Sequence, residues 1–215
     1  MPTSTTRSSK SAADQCATRS YVSNRRPFAR QRVTAVMVML ALLYMPVLEA
    51  QQQPKVSEYQ IKATYLYNFG RFVQWPPNAT AAKGDSFSIC VLGQDPFGPS
   101  LDSTLAGETL DGKPLAAKRI STARDAGECR ILFISSTEEN HLKDILAALD
   151  ESSILTVSDI PAFSRRGGMI QFVLEGGKVR FEINLAKAQI AKLTLSSELL
   201  KVATTVRRNV REGGV

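Results

Sequence analysis

A strand, a helix and a second strand follow one another between Cys129 and Val157, and their spacing constrains the fold more than any other feature of the chain. Cys129–Ile134 (CRILFI) is a continuous apolar run of the kind buried on both faces of a sheet. Ser136-Thr137-Glu138-Glu139 has the form of a capping box, with Ser136 at the cap and Glu139 three places on. Leu142, Ile145, Leu146 and Leu149 then share one helix face, and Ile154–Val157 follows as a strand. Strands joined through a helix lie parallel, with a right-handed crossover. The chain is thereby committed to an α/β architecture.

The flanking segments extend that unit. Phe87–Leu92 and Leu115–Ile120 read as strands, and Leu101–Leu110 as a short helix between them. Met169–Glu175 and Lys178–Ile183 flank Gly176-Gly177, a two-residue hairpin turn. Val56–Trp75 carries Val56, Tyr59, Ala63, Leu66, Tyr67, Gly70 and Val73 at steps of three and four, an amphipathic helix stopped by Pro76-Pro77. Its apolar face suits either a core or a dimer seam. Two short helices follow Asn184. Leu185–Leu193 is capped by Asn184; the second, capped by Ser196 or Ser197, carries Leu199, Val202, Ala203 and Val206. The expected fold is a three-layer α/β sandwich with a mostly parallel sheet, an antiparallel hairpin at one side and flanking helices.

Residues 1–50 stand apart. Arg25, Arg26, Arg30 and Arg32 precede Val33–Leu48, sixteen residues without a charge, and a polar segment starts at Gln51. This is the tripartite pattern of a secretory signal, cut near Ala50, and Arg25-Arg26 also fits a twin-arginine route. Sixteen residues fall short of the roughly 20 that a membrane-spanning helix needs, which weighs against an anchor. Residues 51–215 are then a single domain. The first fifty residues hold seven of the 27 basic and two of the 20 acidic residues, so the net charge of the remainder is +2 rather than +7. A near-neutral domain gives no reason to expect a nucleic-acid partner. Cys90 and Cys129 form an even pair, read as a disulfide in an oxidising compartment or as two buried thiols.

Candidate chemistry is sparse. His141 is the single histidine and falls on the polar side of its helix, with no rigid neighbour to hold an imidazole for catalysis. Metal-ligand spacing is lacking, so neither metal nor cofactor is expected, and no enzymatic role. Gly167-Gly168 lacks the Lys-Ser/Thr ending of a phosphate loop. Asp95 and Asp159 each follow a strand, where open α/β sheets gather ligands, although carboxylates there also cap turns. Arg165 and Arg166 lie on a loop as candidate contacts for an acidic partner. Alternation along Lys178–Ile183 puts Val179, Phe181 and Ile183 on one face and Arg180 and Glu182 on the other, a candidate partner surface.

The segments KATYLYNFGRFVQWP (62–76), FSICVLGQDPFG (87–98), CRILFIS (129–135), ILTVSDIPAFSRRGGMIQFV (154–173) and KVRFEINLAKAQIAKLTLSSELLKVA (178–203) resemble the YfiR family of periplasmic proteins. The resemblance implies an α/β domain that tends to dimerise. It also implies a brake on an inner-membrane diguanylate cyclase, or a sensor kinase, bound through its periplasmic domain. An outer-membrane lipoprotein would sequester the brake, raising cyclic di-GMP and promoting biofilm. It implies that Cys90 and Cys129 form a disulfide. The second cysteine pair of some relatives is absent, so the stiffness it gives around the GGMI turn must come from packing. A periplasmic module that binds a small ligand and feeds a sensor is the alternative role.

Overall fold

The computed structural model describes residues 57–77, 79, 85–150 and 152–208. The chain divides into Met1–Gln53 and Pro54–Val215, and every described residue belongs to the second unit. The expected export signal, Val56 and the last seven residues lie outside the described residues.

The first helix, α1 (Glu58–Phe72), starts where Ser57 Oγ accepts the Gln60 N–H at 3.1 Å, with Glu58 in the first turn. It gives way to β1 (Val73–Gln74) just before Pro76. The remaining elements are β2 (Phe87–Leu92), α2 (Pro99–Leu105), β3 (Thr109–Leu110), β4 (Lys113–Ile120), β5 (Cys129–Ile134), α3 (Leu142–Ala148), β6 (Leu155–Ser158), β7 (Ile170–Glu175), β8 (Lys178–Asn184), α4 (Leu185–Ile190), β9 (Thr194–Leu195), α5 (Ser197–Val202) and β10 (Thr205–Arg207). Turns of 3-10 helix at Ala123–Glu128 and Ser136–His141 lead into β5 and α3.

Eight strands form one sheet in the order β10-β8-β7-β6-β5-β2-β4-β3. The five from β7 to β4 are mutually parallel. β8 pairs antiparallel with β7 through the Gly176-Gly177 turn, and β3 folds back antiparallel on β4. A separate antiparallel pair joins β1 to β9. The α/β class and the βαβ unit agree with the sequence reading.

Burial explains why CRILFI carries no alternation. Ile131 and Phe133 enter a core with Leu66 and Phe69 of α1, while Leu132 and Ile134 enter a second core with Leu142 and Ile145 of α3. The sheet is covered on both faces, which makes three layers. The apolar face of α1 is core: Ala63, Leu66 and Phe69 are fully buried. A disulfide joins Cys90 in β2 to Cys129 at the start of β5, with Cα atoms 5.8 Å apart, beside the α3-side core.

Five details differ from the sequence reading. The helix expected over Val56–Trp75 ends at Phe72, because Val73 and Gln74 pair with β9. Val206 belongs to β10, not to the last helix: Thr204 N–H donates to Phe181 O at 2.9 Å and β10 runs parallel along β8, giving an otherwise open edge its partner. The helix expected over Leu101–Leu110 ends at Leu105, because the residues after it pair with β4. Ser135, not Ser136, caps the turn before α3, and the capping box lies instead at Thr122 and Asp125. α4 stops at Ile190, where Lys192 adopts a left-handed φ of 62° and Leu193 N–H closes onto Ala188 O at 2.9 Å.

Candidate functional site

The order of the parallel strands reverses between β2 and β5, since β2 connects to β4 on one side and β5 lies on the other. The carboxyl ends of strands at such a point are where open α/β sheets hold ligands. Here that crevice is filled. A Cβ on Gly93, just after β2, would lie 2.7 Å from Thr137 Oγ1 and 2.8 Å from Glu138 Cγ. Gln94 N–H donates to Thr137 Oγ1 at 3.1 Å, so the turn after β5 packs directly on the end of β2.

The open space lies further along the same edge, past β6 and β7. A cleft of about 460 Å³ is lined by Glu58 and Lys62 of α1, by Asp159 after β6, and by Gln171, Phe172 and Leu174 of β7, among others. At its polar end Lys62 is only 3% exposed. Its ammonium donates to Asp159 Oδ2 at 2.6 Å and lies 2.5 Å from Glu58 Oε1, one helical turn earlier. Tyr59 OH donates to the same Asp159 oxygen at 3.0 Å, and its ring centroid is 4.3 Å from the Lys62 ammonium. Burial, with the Asp159 carboxylate beside it, pushes the Tyr59 hydroxyl well above the usual phenol range. Asp159 Oδ1 is buried and has no hydrogen-bond partner among the described residues.

Asp95 does not line this cleft. Its Oδ1 accepts the Phe97 N–H at 2.8 Å, fixing the turn before α2, and its Oδ2 accepts from Arg119 Nε at 2.9 Å. Arg119 also grips Asp102 with two nitrogens, at 2.7 and 2.5 Å, and this hydrogen bonding holds the Asp102 carboxyl below its ordinary value. Asp95 is thus engaged by the protein's own groups.

The candidate partner residues fall on the far side of the sheet from α1. Val179, Phe181 and Ile183 are buried beneath α1, whereas Arg180 is exposed. Glu182 is half-buried, accepting from Ser164 Oγ at 2.8 Å. Ser164 N–H donates to Gln171 Oε1 at 3.1 Å, and Asn184 Nδ2 donates to Ser164 O at 2.8 Å. This network, with Gly168 pressed so close to Phe163 that a Cβ would lie 2.1 Å from its ring, ties down the loop around the GGMI turn. Arg166 pairs with Glu139 at 2.9 Å, and Arg165 is exposed on the same loop. His141 has 70% of its side chain exposed, with Nδ1 3.4 Å from Glu138. Among the described residues no three His, Cys, Asp or Glu side chains could hold a metal ion, and no helix is long and apolar enough to cross a membrane.

Sequence reasoning singled out Asp159 but missed Lys62. The Glu58-to-Lys62 spacing of four was visible as a surface ion pair. Its burial was not, because the second acid it pairs with lies 97 positions away.

The fold defines a class, the open α/β sheet covered by helices on both faces, with a cleft at its strand ends. Within it, the chain belongs to the YfiR/HmsC-like family, whose model matches residues 59–204. Among solved structures it is similar to a conserved domain protein from Vibrio cholerae O1 biovar El Tor (13% identity, TM-score 0.47, 70% of this chain covered). It is also similar to an ABC domain in complex with L-Trp from Streptococcus pneumoniae (12% identity, TM-score 0.46, 69% covered). The matches span 60% of the length of each of these two structures. No curated protein matches the chain.

Proposed function

We propose that this chain is an exported, periplasmic regulator that binds the outer domain of an inner-membrane diguanylate cyclase, holds the enzyme inactive and so lowers cyclic di-GMP. The observation that carries the reading is membership of the YfiR/HmsC-like family, a regulatory rather than catalytic family, over residues 59–204. The Cys90–Cys129 disulfide accords with an oxidising compartment, where such bonds persist. The mechanism is a population shift. A regulator that binds one state of the outer domain more tightly than the other moves the catalytic domain by that difference in affinity. The exposed Arg180 and Arg165 are the contacts assigned to the partner, and an outer-membrane lipoprotein would compete for the regulator.

Deletion of the gene tests the reading. Cyclic di-GMP and biofilm should rise in the deletion strain and return to the parental level when the exported chain is supplied in trans. A strain whose cyclic di-GMP is unchanged by the deletion would show that the chain is no such brake.

A further inference from the structure

We propose that Arg130, set against the Trp75 ring at the amino edge of the sheet, binds the carboxylate of a small organic acid with a short apolar body. This goes beyond the regulator reading and does not depend on it. The position follows from the strand pairing. Ser88 of β2 pairs with Cys129 and Ile89 with Ile131, so Arg130 is the extra residue of a β-bulge in β5. Bulges re-aim a side chain out of the regular pleat. Here the guanidinium carbon lies 5.6 Å from the centre of the Trp75 ring and 5.9 Å from that of Phe87, and the two rings meet edge to face at 5.3 Å.

Arg130 is a half-buried cation with no counter-ion in contact. Among the described residues no carboxylate or carbonyl accepts from it, and its Nε, like Trp75 Nε1 beside it, is buried without a hydrogen-bond partner. Arg119 shows the difference, since its fork is filled by Asp95, Asp102 and Gly98 O. The aromatic rings attract the Arg130 charge but carry no lone pair for its N–H groups. Its inward Nε is closed off, whereas the terminal Nη1 and Nη2 keep access to solvent. Burial pushes the guanidinium down from its ordinary value, and Asp111 acts on it only through space, in the opposite direction. A buried charge is costly until it is paired, and a carboxylate takes two parallel N–H groups of a guanidinium at once.

The neighbours define the rest of the ligand. Leu110 and Phe87 meet over Gly70, where a Cβ would lie 3.1 Å from Leu110 Cδ2 and 3.3 Å from Phe87 Cζ. With the Trp75 ring they give the guanidinium an apolar surround. Asp111, next in the chain after Leu110, is exposed, and its charge opposes a second carboxylate. The ligand is therefore a monocarboxylate.

Trp75 is the single tryptophan of the chain, so its emission reports on this spot alone. Isovalerate, isoamylamine and isoamyl alcohol, probes of one alkyl shape, are titrated into the purified exported chain at constant ionic strength. Isovalerate should change the emission saturably and bind about tenfold more tightly than the amine or the alcohol, the worth of one charge-assisted hydrogen bond. Arg130→Gln should abolish the response, and Arg130→Lys, which cannot present a planar fork, should weaken it. Asp111→Asn serves as the second variant, because asparagine tolerates the left-handed φ of 51° at this exposed turn. It removes a like charge and should tighten isovalerate binding with the melting temperature unchanged. Equal affinity for the three probes, absence of a saturable isovalerate response, or a parental response in Arg130→Gln would each overturn the assignment. An Asp111→Asn protein that binds isovalerate less tightly, or melts lower, would make Asp111 the guanidinium's own counter-ion and overturn it as well. Cyclic di-GMP is not measured here, so failure of this test leaves the regulator reading intact, and the reverse holds too.

Discussion

Lys62 is the residue on which the most local order depends. An ammonium buried beside two aromatic rings is tolerated only because Asp159 and Glu58 neutralise it. Removing the lysine leaves Asp159 at a site with little water and one oxygen already without a donor. Breaking a buried pair from one side typically costs about 3–5 kcal/mol, whereas replacing both partners by groups of matching shape is often nearly neutral. We expect Lys62→Ala to lower the unfolding free energy by about 3 kcal/mol, towards the low end because Glu58 is partly solvated. The double variant Lys62→Met/Asp159→Asn should recover more than half of the loss. Urea denaturation of the three proteins measures both. A Lys62→Ala variant as stable as the parent would mean that the pair contributes no net stability.

The link between β2 and β5 carries a comparable share of stability by a different route. Cys90 and Cys129 are 39 residues apart, and closing a loop of that size removes chain entropy from the unfolded state worth roughly 4 kcal/mol. Replacing both cysteines by alanine should lower the melting temperature by more than 10 °C, and dithiothreitol should do the same to the parent and nothing to the variant; a scan in both conditions decides it. The strands that carry this link were legible from the sequence, because a run apolar at every position, such as CRILFI, fits a strand covered on both faces. The alternation in Lys178–Ile183 was legible for the complementary reason, one face buried and the other not. β10 was not. Val206 continues the helical spacing of Leu199 and Val202, and only the unpaired edge of β8, invisible locally, draws it into the sheet. The candidate cleft was half legible: Asp159 follows a strand and so announces itself, but Lys62 reads as a solvated helix position until α1 is laid across the strand ends.

The two faces of β8 differ in what they leave for a partner. The face of β8 under α1 is spent on the core, through Val179, Phe181 and Ile183. The other face keeps Lys178 and Arg180 in solvent, next to a loop that presents Arg165. A recognition role for this basic side makes a claim that stability measurements can separate from folding. Exposed charges away from packed groups contribute within about 0.5 kcal/mol to stability, so reversing them leaves the fold intact. Charge reversal opposite an acidic partner surface slows association and weakens the complex. Arg165→Glu/Arg180→Glu should therefore melt within two or three degrees of the parent while failing to restore low cyclic di-GMP in the deletion strain. Glu182→Gln is the informative contrast, because Glu182 is turned inward to Ser164 and its loss should disturb the loop rather than the contact. If the doubly reversed protein, present at parental levels, still restores low cyclic di-GMP, any partner is held elsewhere on the molecule.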